Sequence, residues 1–448
     1  MPARGLHARA VMTRWGIVRL AFALLAGCGP VTAGHGAAGG GGGGGGAGSG
    51  GSGIGGAGGS TSIPNNCPSG QALPTLSGIV YAPNGLDPIA GALVYVPMGP
   101  PQPLPGGNQC DACATVPGAW VQTHSGPTGG FAFPEVPAGA IQVVVEMGHF
   151  RRIVAVNAPC GGSVMLTAAE SRLPRNATEG DIPKVAVATG AVDKMQDVLS
   201  KIGLEEFDLY QGKNPAPQGN TYPMLDALLM DANRLATYQI VLINCRNSYE
   251  PLLASGPATQ NLERFVHAGG RLFVDDLSYE FVEWPFPQAV DFEPDSAGAQ
   301  LSSNMPQSPM DAAEIGSGGT TTMPSPPVSA QVTDDTLKMW LAQFPSTVAA
   351  DGSIQIQGWL NNWAVMHAVP ATTKVWVQGM VSWNGGSGVR PLSVGLDYKG
   401  VDGTGCGRIV YNSYHTVPLM SSPSAPFIPQ ERILEYLFFQ IATCIQIG

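Results

Sequence analysis

The sequence predicts two folded parts in series: a small β-sandwich, then an α/β domain on a doubly wound parallel sheet. Three observations predict this. Between residues 71 and 175, short apolar runs alternate with Pro and Gly turns at the spacing of a sandwich. Further on, Tyr238-Gln239-Ile240-Val241-Leu242-Ile243-Asn244-Cys245 and Gly269-Gly270-Arg271-Leu272-Phe273-Val274-Asp275-Asp276 are apolar on successive residues, which suits strands covered on both faces. Between those runs, residues 259–268 read as a helix that Gly269-Gly270 ends with a left-handed cap.

The chain opens with a leader. Residues 1–14 carry three arginines and no acid, and the stretch 15–26 that follows is too short to span a bilayer as a stable helix. It ends Leu25-Ala26-Gly27-Cys28, which resembles the bacterial lipobox, in which the cysteine receives diacylglycerol and becomes the mature N-terminus. The resemblance makes residues 1–27 a lipoprotein signal peptide, and Gly29 at the following position implies the outer membrane. Acyl chains contribute about 0.8 kcal/mol per buried methylene, so a multiply acylated Cys28 would anchor a soluble domain without a second apolar span. Residues 28–66 read as a tether, with eight consecutive glycines from Gly39 to Gly46. Such a segment buries too little apolar surface to fold and has a reach on the order of 30–35 Å.

Only 12% of the 448 residues are charged, with 61 Gly and 39 Pro, as in an exported, loop-rich protein. Net charge is −10, and −14 once the leader's Arg4, Arg9, Arg14 and Arg19 are removed. That excludes a nucleic-acid partner, whose phosphates need a basic face. It also leaves the lipid on Cys28, rather than surface charge, as the link to the membrane.

Residues 67–175 form the first domain, with strands expected at 77–82, 92–97, 119–123, 130–133, 141–146, 152–156 and 163–167. Gly78-Ile79-Val80-Tyr81 with Pro83, Gly85 and Pro88, then Gly91-Ala92-Leu93-Val94, Thr128-Gly129-Gly130-Phe131-Ala132-Phe133 and Val136-Pro137-Ala138-Gly139, resemble the carboxypeptidase regulatory-like domain. The resemblance implies a transthyretin-type sandwich that serves stability, surface display or weak glycan or protein contact and carries no chemistry. Cys110-Asp111-Ala112-Cys113 lies in a Pro-Gly-rich loop, without the strand-to-helix turn of a redox pair or the second pair of a zinc knuckle. Outside the cytoplasm a structural disulfide is expected, with Cys67 and Cys160 sharing another. Cys406 and Cys444, opening the last strand and closing the last helix, are expected to join. Seven cysteines remain after lipidation of Cys28, and Cys245 is expected to be the free, buried one.

Residues 181–448 form the second domain. Lys184 to Gly190 is a buried strand, and Asp193 is expected to cap a helix running through Ile202. A strand at 206–210 and one amphipathic helix over 222–237 lead into the first organising run. Residues 291–330, rich in Pro, Ser and Gly, read as a surface insertion. A helix at 334–344, strands at 372–380 and 391–397, a buried strand from Cys406 to His415 and a closing helix at 428–444 complete the domain.

The run 235–276, with Gly407-Arg408-Ile409-Val410-Tyr411 and His415, resembles the class I glutamine amidotransferase-like superfamily, in its trehalose-utilisation-type branch. This implies a flavodoxin-like plan. With Arg172-Leu173-Pro174-Arg175-Asn176 and Glu179-Gly180-Asp181-Ile182-Pro183, the mature chain resembles a bacterial lipoprotein family of unknown function that joins the two domains. Amidotransferases place a nucleophilic cysteine on a glycine-flanked elbow and pair it with His-x-Glu. Here the elbow falls at Asp275-Asp276-Leu277-Ser278 and has no thiol, Cys245 lies one strand early without glycines, and Thr416-Val417 follow His415.

In open parallel sheets ligands bind beyond the carboxyl ends of the strands, which brings Cys245, Asp276 and His415 to one edge. They are the candidate catalytic set of a degenerate hydrolase or amidotransferase-like enzyme. The apolar run before Cys245 favours a packed thiol instead. The leading expectation is therefore a non-catalytic envelope lipoprotein that binds glycan or protein. Asp275, Asp276, Glu280 and Glu283 could hold a calcium ion or act as a carboxylate pair, but they read first as a solvated loop with capping aspartates, and no metal or cofactor is expected. Trp340, Trp359, Trp363, Trp376 and Trp383 are candidates for a carbohydrate platform.

Overall fold

The computed structural model describes residues 62–110, 116, 118–190, 193–212, 222–245, 252–253, 256–293, 327–357, 359, 364–383, 386–416 and 424–442. The leader with Cys28, most of the tether, Cys113, Trp363 and Cys444 lie outside them. Seven strands build the first part: β1 Thr75–Ile79, β2 Leu93–Pro97, β3 Ala119–His124, β4 Gly130–Phe133, β5 Gly139–Met147, β6 Phe150–Ala158 and β7 Ser163–Met165. They form two sheets, β4-β1-β7 and β3-β2-β5-β6. Leu76, Phe131 and Phe133 from one sheet share a core with Val94, Val96, Val143 and Val145 from the other. All seven expected strands are present, each within a few residues of its reading.

The second part carries a nine-stranded sheet. Its parallel half is β8 Val185–Thr189, β9 Asp208–Gln211, β10 Ile240–Ile243, β11 Arg271–Asp275 and β18 Gly407–Asn412. The continuous apolar runs have a plain cause. Val185, Val187, Ile240, Leu242 and Phe273 enter the core on one face, while Ala186, Ala188, Val241, Ile243, Leu272 and Val274 enter a second core on the other. Each fully buried Val, Ile or Leu there contributes about 1.5–3 kcal/mol. The helix Pro257–His267 joins β10 to β11, and Gly269 follows it at φ 106, where the sequence requires a left-handed residue.

The sheet departs from an all-parallel reading beyond β18. There β13 Val328–Val332, β14 Ser353–Ile356, β16 Lys374–Trp383 and β17 Gly386–Tyr398 run antiparallel to their neighbours. The full strand order is β14-β13-β16-β17-β18-β11-β10-β8-β9. Burial alternates along the antiparallel strands, as in sheets with one covered face. The insertion read at 291–330 is bounded by strands: β12 Asp291–Phe292, paired with β15 Met366–Ala368, and β13. The single helix read at 222–237 is two short ones, Leu225–Leu229 and Ala232–Leu235. Asp231 breaks them and caps the second through Arg234 N–H.

Residues 60–448 form one compact unit. The closing helix Pro429–Ala442 is buried on nearly every side, because the sandwich covers the face the sheet leaves free. Phe150 of β6 packs on Phe439 at 5.7 Å between ring centroids, Trp340 Nε1 donates to Pro88 O at 2.6 Å, and Arg432 pairs with Asp87 at 2.9 Å. No helix among the described residues is long and apolar enough to cross a membrane.

Candidate functional site

Four adjacent parallel strands, β8, β10, β11 and β18, end on one side of the sheet, and polar residues follow each end. Cys245 stands two residues beyond β10, Asp276 directly beyond β11 and His415 three beyond β18. The structure brings these three together: one donor atom from each lies within 4.8 Å of the others. His415 Nδ1 is 3.5 Å from Asp276 Oδ2 and 3.7 Å from Asp193 Oδ2. All are sealed in the interior, with Cys245 and Asp193 at 0% exposure and Asp276 and His415 at 2%.

Local backbone explains the convergence. A Cβ at Gly190 would collide with Cys245 O, so glycine there lets the end of β8 close on the end of β10. Asn244 ties the two ends, donating to Ala188 O at 2.8 Å and accepting from Met195 N–H at 2.7 Å. Asp276 has φ 41, a left-handed conformation that a non-glycine residue adopts at a cost of about 1–3 kcal/mol. It is held there by Tyr411, whose hydroxyl donates to Asp276 O at 2.9 Å, and by Ala364 N–H, which donates to Oδ1 at 3.2 Å. The turn directly after β11 is thus a tight elbow with a carboxylate at its tip. Asp275 accepts from Thr416 Oγ1 at 2.5 Å and Asn412 Nδ2 at 3.1 Å.

Burial governs the protonation of the cluster. It pushes the Asp276 carboxyl up to about 7, against the pull of His415 and with the push of Asp193. It pushes Asp275 well above the carboxylate range, with Asp193 adding to the effect. Burial, then the Asp276 and Asp193 charges, raise the Cys245 thiol far from the thiolate form. For His415 burial acts to lower the pKa, and the Asp193 and Asp276 carboxylates overcome it and raise it.

Several expectations change. Asp275, Asp276, Glu280 and Glu283 do not form a solvated loop; all four are buried, because the segment after β11 folds under the helix Glu280–Glu283 and packs into the second core. Asp193 does not cap its helix, which starts at Met195; it turns inward and accepts from Thr416 N–H at 3.0 Å. Reading Asp193 as a cap hid it from the site, although an acid just beyond a buried strand is the signal that finds it. The tryptophans do not make one platform: Trp340 and Trp359 are core residues, while Trp376 and Trp383 are half-buried beneath Lys374 and Arg390. Cys67 and Cys160 are joined as expected. Cys406 is joined to Cys110, which replaces both the expected Cys406–Cys444 bond and the expected Cys110–Cys113 bond, because the sandwich loop carrying Cys110 packs on the turn at Gly269 and reaches the start of β18. Cys245 is the free, buried cysteine among the described residues.

No protein-family model matches the chain, and no curated protein matches it. One matching solved structure is described as a GMP synthase subunit from Thermoplasma acidophilum. It is 8% identical and has a TM-score of 0.31, covering 58% of this chain and 94% of that one. At that score it carries no argument.

Proposed function

We propose that the protein is an exported lipoprotein, held at a membrane by a lipid on Cys28, whose folded part binds a glycan or another envelope protein without catalysing a reaction. The observation that carries the non-catalytic half is the sealing of the strand-end cluster. A nucleophile must be reached by its substrate, and Cys245, Asp276 and His415 are at most 2% exposed. The two disulfides support export, since such bonds persist in oxidising compartments. The finer fold belongs to the same proposal: a carboxypeptidase regulatory-like sandwich on a flavodoxin-like, amidotransferase-like sheet. The β16–β17 hairpin offers a binding face, with exposed Met380 and Val389 directly opposite each other and Trp383 stacked under Arg390.

One observation favours a second reading, a hydrolase or amidotransferase-like enzyme using Cys245, Asp276 and His415. It is the strained elbow at Asp276, a feature that clusters at active sites. Alkylation with iodoacetamide under native conditions separates the two. The binding reading expects Cys245 to stay unmodified until the protein is unfolded; modification at the rate of an accessible thiol establishes the enzyme reading instead. For the anchor, a palmitate analogue is expected to label the wild type and not Cys28→Ala, and equal labelling of both overturns it.

A further inference from the structure

We propose that the strand-end cluster is a binding site for one divalent transition-metal ion of the zinc class, held by the Cys245 thiolate, a carboxylate oxygen of Asp276 and an imidazole nitrogen of His415. The donor chemistry selects the ion. Sulfur, nitrogen and oxygen together suit zinc and its neighbours, whereas calcium and magnesium take oxygen alone. The geometry suits it as well. With metal–ligand bonds of about 2.0–2.3 Å, tetrahedral donors stand about 3.3–3.8 Å apart. His415 Nδ1 and Asp276 Oδ2 are already at 3.5 Å, and the widest pair, at no more than 4.8 Å, closes by about 1 Å on loading.

The surroundings are those of a built site. Ala364 N–H occupies Asp276 Oδ1 and leaves Oδ2 facing His415, while the Tyr411 hydroxyl fixes the elbow from below. Asp193 Oδ2, 3.7 Å from His415 Nδ1 and accepting from Thr416 N–H at 3.0 Å, flanks the imidazole from outside the three-ligand set. On binding, the Cys245 proton leaves to solvent. The ion then staples the ends of β10, β11 and β18 at the edge where open sheets carry ligands.

This inference stands apart from the choice between binding and catalysis, and its readout is the metal itself. Protein produced in zinc-containing medium is expected to hold about one equivalent by elemental analysis, to lose it to phenanthroline, and to regain it. Refilling with cobalt is expected to give tetrahedral d–d bands and a thiolate-to-cobalt charge-transfer band. Cys245→Ser is expected to abolish that charge-transfer band, and His415→Gln to weaken cobalt affinity at least tenfold. Folded wild type that retains less than a tenth of an equivalent and shows no cobalt spectrum overturns the site. So does full zinc retention by the Cys245→Ser/His415→Gln double variant. Where those variants do not fold, the cobalt spectrum of the wild type decides alone: with the charge-transfer band the site stands, and without it the site is refuted.

Discussion

The two ends of the same parallel strands handle buried charge in opposite ways. At the amino ends, Arg271 of β11 is 3% exposed and is surrounded by carbonyls. Its Nε donates to Ile441 O at 2.8 Å, and its NH1 donates to Cys406 O at 3.3 Å and to Gly269 O. Beside it, Gln239 bridges the first strands to the sandwich, donating to Gly107 O at 2.7 Å and accepting from Lys184 N–H at 2.6 Å. The Cys110–Cys406 bond then closes the edge covalently. At the carboxyl ends, carboxylates gather around one imidazole and one thiol. Backbone carbonyls satisfy a buried cation, so the amino edge is complete with protein atoms alone. At the carboxyl edge, burial raises the Asp275 and Asp276 carboxyls toward their neutral forms, and Asp276 and Asp193 both lie beside His415. One edge is a joint between the two parts, and the other is where we place the metal.

Breaking the joint is expected to produce the largest effect. Cys110 and Cys406 are 296 residues apart and Cys67 and Cys160 are 93 apart. On the loop-entropy model the first bond contributes at most about 6 kcal/mol, about 1 kcal/mol more than the second. Denaturant unfolding of Cys110→Ser/Cys406→Ser and Cys67→Ser/Cys160→Ser measures both. A smaller loss for the long loop would show that the amino edge is held by its packing and not by its crosslink.

Arg271 ranks next. Arg271→Met keeps most of the volume and leaves the carbonyls of Ile441, Gly269 and Cys406 without their donor, a loss of about 3 kcal/mol. The midpoint of denaturant unfolding reads it. A change under about 1 kcal/mol would mean that water replaces the guanidinium there, and the contrast between the edges would weaken.

The same contrast explains what the sequence shows and what it hides. The strands β8, β10, β11 and β18 are legible because two cores draw on alternate residues of each run, leaving no polar interruption. Cys245, Asp276 and His415 could be placed on one edge from topology alone. Asp193 carries the same strand-end signal, but an acid before a helix has a local use that fits just as well and hides it. The partner of Cys406 was hidden for a different reason. Its choice depends on how the sandwich docks, a contact between residues 296 positions apart that no local pattern encodes. The antiparallel strands β13 and β14 alternate but span only five and four residues beside a Pro-, Ser- and Gly-rich stretch, so their runs are easily read as loop.

The smallest expected effect concerns Glu179, which closes the segment between the two parts on itself. Its carboxylate accepts from Arg172 NH1 and NH2 at 2.6 and 2.8 Å and from Arg175 Nε and NH2 at 3.0 and 2.6 Å. The Arg172 hydrogen bonds, opposed by partial burial and helped by Arg175, hold this carboxyl well below the usual carboxylate range. A group whose pKa is depressed by folding stabilises the protein fully above its unfolded pKa, about 4.3 for Glu. That contribution disappears as pH falls through the folded value. The wild type should therefore exceed Glu179→Gln by about 2 kcal/mol at pH 7, with the gap closing steadily below about pH 4. Unfolding free energies measured at several pH values, with chelator present so that the carboxyl edge is metal-free in every sample, give the two curves. Parallel curves would mean that Glu179 serves through its hydrogen-bond geometry and not its charge.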